Sequence, residues 1–133
     1  MEQVEIDMLP RCDDGTLKPD SPLVDWVKQI LDATQQAHRP MAYNPDTRRL
    51  LEWQGFDKIQ EQVIRIPLNP WPSDPYLRDV GRWYNLGLTQ GLEALSVGPL
   101  TRMTGMTKDD VGRLTAIAKR EICSRKVHAY CNL

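Results

Sequence analysis

Apolar and polar positions alternate near the start of the chain. Val4 and Ile6 interleave with Gln3, Glu5 and Asp7, a period of two that predicts a strand over Glu2–Met8. Pro10–Asp20 is polar, with Asp14-Gly15 as a turn signal, and reads as a loop. The period then becomes helical. Leu23, Trp26, Val27, Ile30 and Leu31 form one stripe behind a Ser21 cap and Pro22, whose missing N–H costs nothing in a first turn. His38-Arg39-Pro40 ends that helix. Asn44-Pro45 opens a shorter helix by the same logic, running through Leu50 and Leu51 to Trp53, with Gly55 placed to stop it. Alternation around Val63, Ile64 and Ile66 predicts a second strand over Ile59–Leu68. Asn69-Pro70-Trp71-Pro72 is a stiff connection. Asp74-Pro75 starts the longest helix, its buried face marked by Leu77, Val80, Tyr84, Leu88, Leu92 and Leu95. Gly81, Gly87 and Gly91 each weaken it by up to ~1 kcal/mol relative to Ala. Three such residues in one helix point to close approach by another backbone or a ligand. Gly98-Pro99 is expected to break this helix. Thr107 caps the next, with Asp109 and Asp110 suited to its first turn and Val111, Leu114, Ile117, Ala118 and Ile122 toward the core. Lys126–Leu133 reads as a final short strand.

The length, 133 residues, fits one domain spanning 1–133. Seventeen basic and eighteen acidic residues leave a net charge of -1, which gives no electrostatic case for nucleic acid or an anionic membrane. No apolar run approaches the ~20 residues that span a bilayer, and the first residues do not resemble a secretory leader. Cys12, Cys123 and Cys131 form no CxxC, so a reducing, cytoplasmic setting is expected. Cys123, His128 and Cys131 match no common zinc spacing, and no metal is expected.

The segment Ile66–Ser96 (IPLNPWPSDPYLRDVGRWYNLGLTQGLEALS), followed by RMTGMTKDDV and KVHAY, resembles the C-terminal part of the fungal S-adenosylmethionine-dependent methyltransferases of secondary metabolism. Glu2–Leu17 is similar to the fifth sheet strand of that family and the loop after it. The resemblance implies an α/β fold: part of a Rossmann-like sheet whose full order is 3-2-1-4-5-7-6. About three strands, equivalent to 5-7-6, would be accompanied by four or five helices. Nothing in the sequence corresponds to the Gly-rich turn and acidic ribose ligand that hold the methyl donor in the family. No cofactor is therefore expected on the single chain. The edge left free by an absent fourth strand is an aggregation hazard. A two-fold dimer through residues 2–8 would cover it, as would docking on a full-length methyltransferase.

The residues retained correspond to the family's substrate-facing half. Trp71, Tyr76, Trp83 and Tyr84 could line an apolar pocket, with Arg82 and Tyr130 as hydrogen-bonding groups. His128, Glu5 or Asp7 could transfer protons, the ordinary pKa of a histidine near ~6.5 suiting that role. Each has a plainer reading: Trp71 as a packing plug, Tyr84 as core, Arg82 paired with a neighbouring aspartate, His128 as a structural residue. Asp13-Asp14 and Gly15–Pro19 read simply as loop. Two functions stay open. One is a cofactor-independent cyclase, isomerase or pericyclase acting on an apolar, polyketide- or terpenoid-like substrate, where orientation alone lowers the barrier. The other is a non-catalytic subunit that completes or regulates a full-length methyltransferase.

Overall fold

A computed structural model describes residues 2–133. The chain forms β1 (Asp7–Arg11), α1 (Pro22–Gln36), α2 (Thr47–Trp53), β2 (Arg65–Pro67), α3 (Pro75–Met103), α4 (Lys108–Ile122) and β3 (Tyr130–Asn132). The architecture is α/β, with four helices and a three-stranded sheet among the described residues. The sheet order is β1-β3-β2, and β3 is antiparallel to both neighbours. It follows that β1 and β2 run parallel to each other. Reciprocal bonds between Ile64 and Leu133, each 2.8 Å, and a 3.0 Å bond from Leu68 N–H to Ala129 carbonyl extend the β2–β3 ladder beyond its formal ends.

All three strands are shorter than expected from the sequence. The first begins at Asp7 rather than Glu2 and runs past Met8 to Arg11, so that Pro10 and Arg11, read as loop, belong to the strand. On it, Asp7 opposes Asn132 and Arg11 opposes Tyr130, so four steps on β1 match two on β3. That bulge bends the strand and turns the residues after Arg11 back toward the sheet end.

Three helices pack on one another and on the sheet around Trp26, Leu23, Ile30, Leu68, Leu100 and Ile122, all essentially without exposed surface. Burying each side chain of this size contributes roughly 1.5–3 kcal/mol. The Trp26 indole N–H donates to Ser96 Oγ at 2.9 Å, so the only polar atom of that ring is satisfied in the core. Ser21 caps α1 as its residue type suggests, and Glu121 of α4 accepts a second free N–H, that of Leu23, at 2.8 Å. Thr107 and Asp110 form a reciprocal capping box on α4. The short α2 differs: Asp46 stands at its N-cap without a side-chain cap bond, Asn44 instead forms a turn onto the Asp46 N–H, and no residue of the helix is buried.

Several expectations for the helices fail, among them the burial of Leu77, which is exposed at the start of α3. Gly98-Pro99 does not end α3, which continues to Met103 with Pro99 inside it. A proline there removes one helical bond. Ser96 and Leu100, fully buried on either side of it, hold both turns against the core. Ile117 is half exposed on α4 instead of facing inward. Of the four glycines in α3, only Gly81 meets a neighbour closely: an added Cβ would collide with the Asn69 carbonyl, while the space beside Gly87 and Gly98 is open and Gly91 has only ordinary contact.

Candidate functional site

The loop after β1 folds back onto the start of β3. Asp14 accepts from the Thr16 N–H at 3.1 Å, from Thr16 Oγ1 at 2.8 Å and from Cys12 Sγ at 3.1 Å. The same carboxylate holds Nδ1 of His128 at 2.5 Å, and Thr16 Oγ1 accepts the His128 backbone N–H at 2.9 Å. These bonds, led by those from Cys12 and Thr16, keep the Asp14 carboxyl well below the usual carboxylate range. Because a carboxylate only accepts, Nδ1 carries the proton of this bond, and Nε2 has no hydrogen-bond partner among the described residues.

Asp13 is held in parallel. Tyr130 donates its O–H to Oδ1 at 2.8 Å, and Arg65 reaches Oδ2 at 2.7 Å. The Tyr130 bond is the main cause of the lowered Asp13 pKa; the same bond raises the phenol. The Arg65 guanidinium also lies over the Tyr130 ring, 4.6 Å from its centroid. Trp71 stacks on His128 with centroids 4.9 Å apart and planes at 25°, while its own N–H donates to the Ala129 carbonyl at 3.1 Å. Together these groups border an open cleft of about 320 Å³ at the carboxyl ends of β1 and β2.

Three of the candidate residues, Trp71, His128 and Tyr130, thus meet in one place. The others do not join them. Glu5 borders a separate open depression of about 370 Å³ with Ile6 and Pro40–Asn44. Asp7 pairs with Arg11 at 2.6 Å, and Arg82 with Asp79 at 2.6 Å. Tyr76 and Trp83 project outward, 76% and 73% exposed. Tyr84 is half-buried against the core beside Cys131; burial raises both, the thiol to about 12. Asp13, Asp14 and Arg65 belong to the cleft but read as ordinary loop and strand residues in sequence. The available signal was their position, two acids immediately past the carboxyl end of a strand. Among the described residues, no group of three or more His, Cys, Asp or Glu side chains is placed to hold a metal ion.

The polar residues of the NPWPSDP and GRWYN segments serve the fold beside this cleft. Asn69 Nδ2 donates to the carbonyls of Ser124 and Val127 at 3.1 and 3.0 Å. Asn85 Nδ2 donates to Leu68 and Ile122 at 2.8 and 3.1 Å, taking up an otherwise free carbonyl at the end of α4. Gly81 lets α3 approach the Asn69 backbone. These contacts fix the connection that carries Trp71.

Comparison with known proteins gives the origin of the sequence. The chain is 54% identical over 134 residues to the "Secondary metabolism regulator LAE1" of Cochliobolus heterostrophus, covering all of this chain and 44% of that protein. It is 44% identical over 131 residues to the "Protein-methionine methyltransferase laeA" of Chaetomium globosum, covering 98% of this chain and 41% of that protein. It is 42% identical over 130 residues to the "Secondary metabolism regulator laeA" of Monascus pilosus, covering 97% and 35%. The chain therefore spans less than half the length of these curated relatives. No family model matches the sequence, and no solved structure matches it.

Proposed function

We propose that this chain, homologous to the C-terminal part of the fungal LaeA/LAE1 secondary-metabolism regulators, is the acceptor-side portion of a methyltransferase fold. In this reading it acts in the control of secondary metabolism together with a donor-binding portion made by residues outside these 133.

The observation that carries the proposal is the sheet. Parallel β1 and β2 with antiparallel β3 between them is the arrangement that strands five, seven and six of a Rossmann-like methyltransferase sheet would have. The outer edge of β1, where strand four would lie, has no strand beside it among the described residues. Val4, Ile6 and Leu9 near that edge are 65%, 39% and 39% exposed. An uncovered edge with apolar side chains invites another strand. The eight glycines never form a GxGxG-type turn that could grip the donor's carboxylate, and the relatives have more than half their length elsewhere.

The cyclase reading has less support. It calls for an enclosed apolar chamber, whereas both depressions are open and Tyr76 and Trp83 point to solvent.

Coexpression of the tagged chain with the N-terminal portion of the Cochliobolus relative tests the proposal. A complex that survives gel filtration, and that is lost on Leu9→Lys, is expected. Failure of the two to copurify when both are folded would contradict it.

A further inference from the structure

We propose that the cleft at the carboxyl ends of β1 and β2 binds a flat, uncharged or cationic molecule bearing an O–H or N–H donor, and that Nε2 of His128 accepts that donor. The nine residues that line the cleft all lie in this chain, so the inference is testable without the partner proposed above.

Position is the first argument. Parallel strands of α/β sheets present their ligands at their carboxyl ends, and this cleft lies past Arg11 on β1 and past Pro67 on β2. Orientation is the second. Asp14 occupies Nδ1 of His128, and no described protein group bonds Nε2. Trp71 covers one face of the imidazole and is itself pinned by the Ala129 carbonyl. The imidazole is therefore held in place before any ligand arrives, with Nε2 left as the free acceptor of its neutral form.

Shape and charge supply the ligand class. Pro67, Pro72, Leu77 and the indole of Trp71 form apolar walls around about 320 Å³, the lower end of the range for small-molecule sites. Two carboxylates stand against one guanidinium, so an anionic ligand meets net negative charge. Should the donor proton transfer to Nε2, the resulting imidazolium pairs with Asp14, and the ligand keeps the electron pair of the broken O–H or N–H bond. No further reactant is consumed.

2-Naphthol and 2-methoxynaphthalene share a ring and differ in the O–H, so they make a direct probe pair. With the full chain labelled in its histidine rings, titration followed by NMR is expected to show 2-naphthol moving the His128 ring signals and the Trp71 indole N–H. The methyl ether should bind at least tenfold more weakly, and 2-naphthoate more weakly than 2-naphthol. His128→Gln should reduce the preference for the naphthol over the ether by at least threefold. Unmoved His128 signals, or equal binding of naphthol and ether by the unaltered chain, would overturn the assignment.

Discussion

The Asp14 carboxylate holds Nδ1 of His128 at 2.5 Å across 114 positions of sequence. With the Asp13–Tyr130 bond beside it, this pair fastens the loop after the first strand to the beginning of the last.

That fastening has a pH signature. Both aspartates have pKa values lowered in the folded chain. Their contribution is therefore present in full above the unfolded value of about 3.9 and is lost as pH falls through the lower folded values. Asp14→Asn should lower the urea midpoint at pH 6, and the gap to the unaltered chain should narrow by pH 2.5. A gap that stays constant with pH would show that the carboxylate's charge has no part in holding the loop.

Gly81 and Gly87 should respond oppositely to alanine. The added methyl at Gly81 meets the Asn69 carbonyl, and overpacking of this kind costs roughly 1–3 kcal/mol. At Gly87 the space is open and the residue is helical, so alanine should stabilise by roughly 0.5–1 kcal/mol. Urea denaturation of both variants measures the contrast; equal effects would refute the packing described for α3.

The uncovered edge predicts self-association of the isolated chain. Sedimentation at micromolar concentration should reveal dimers formed through β1. Leu9→Lys, which puts a charge on that edge, should shift the population toward monomer. A monomer that persists into the hundred-micromolar range would show that the edge is not sticky on its own.

The parts of this fold that are legible in the sequence are those with a local cause. Ser21-Pro22, Asp74-Pro75 and Thr107 mark three helix starts because capping is decided within one turn. Strand ends were not legible: pairing decides them, and the partner of Ile64 is Leu133, at the other end of the chain. Pro99 misled because its local cost is outweighed by the burial of Ser96 and Leu100 on either side. The candidate site was half visible. Trp71, His128 and Tyr130 stood out by residue type, whereas Asp13, Asp14 and Arg65 gain meaning only once the bulge in β1 turns the loop toward β3. The family-like Asn69, Gly81 and Asn85 proved to be joints of the scaffold, a role that long-range bonds reveal and spacing does not.

The central claim, that these residues form the acceptor side of a fold whose donor site lies elsewhere, is tested most directly by calorimetric titration with S-adenosylmethionine. The chain alone should give no binding heat at micromolar concentration, and mixing it with the separately folded N-terminal portion of the Cochliobolus relative should raise that portion's affinity for the donor. Micromolar binding by the chain alone, or an affinity unchanged on mixing, would contradict the account.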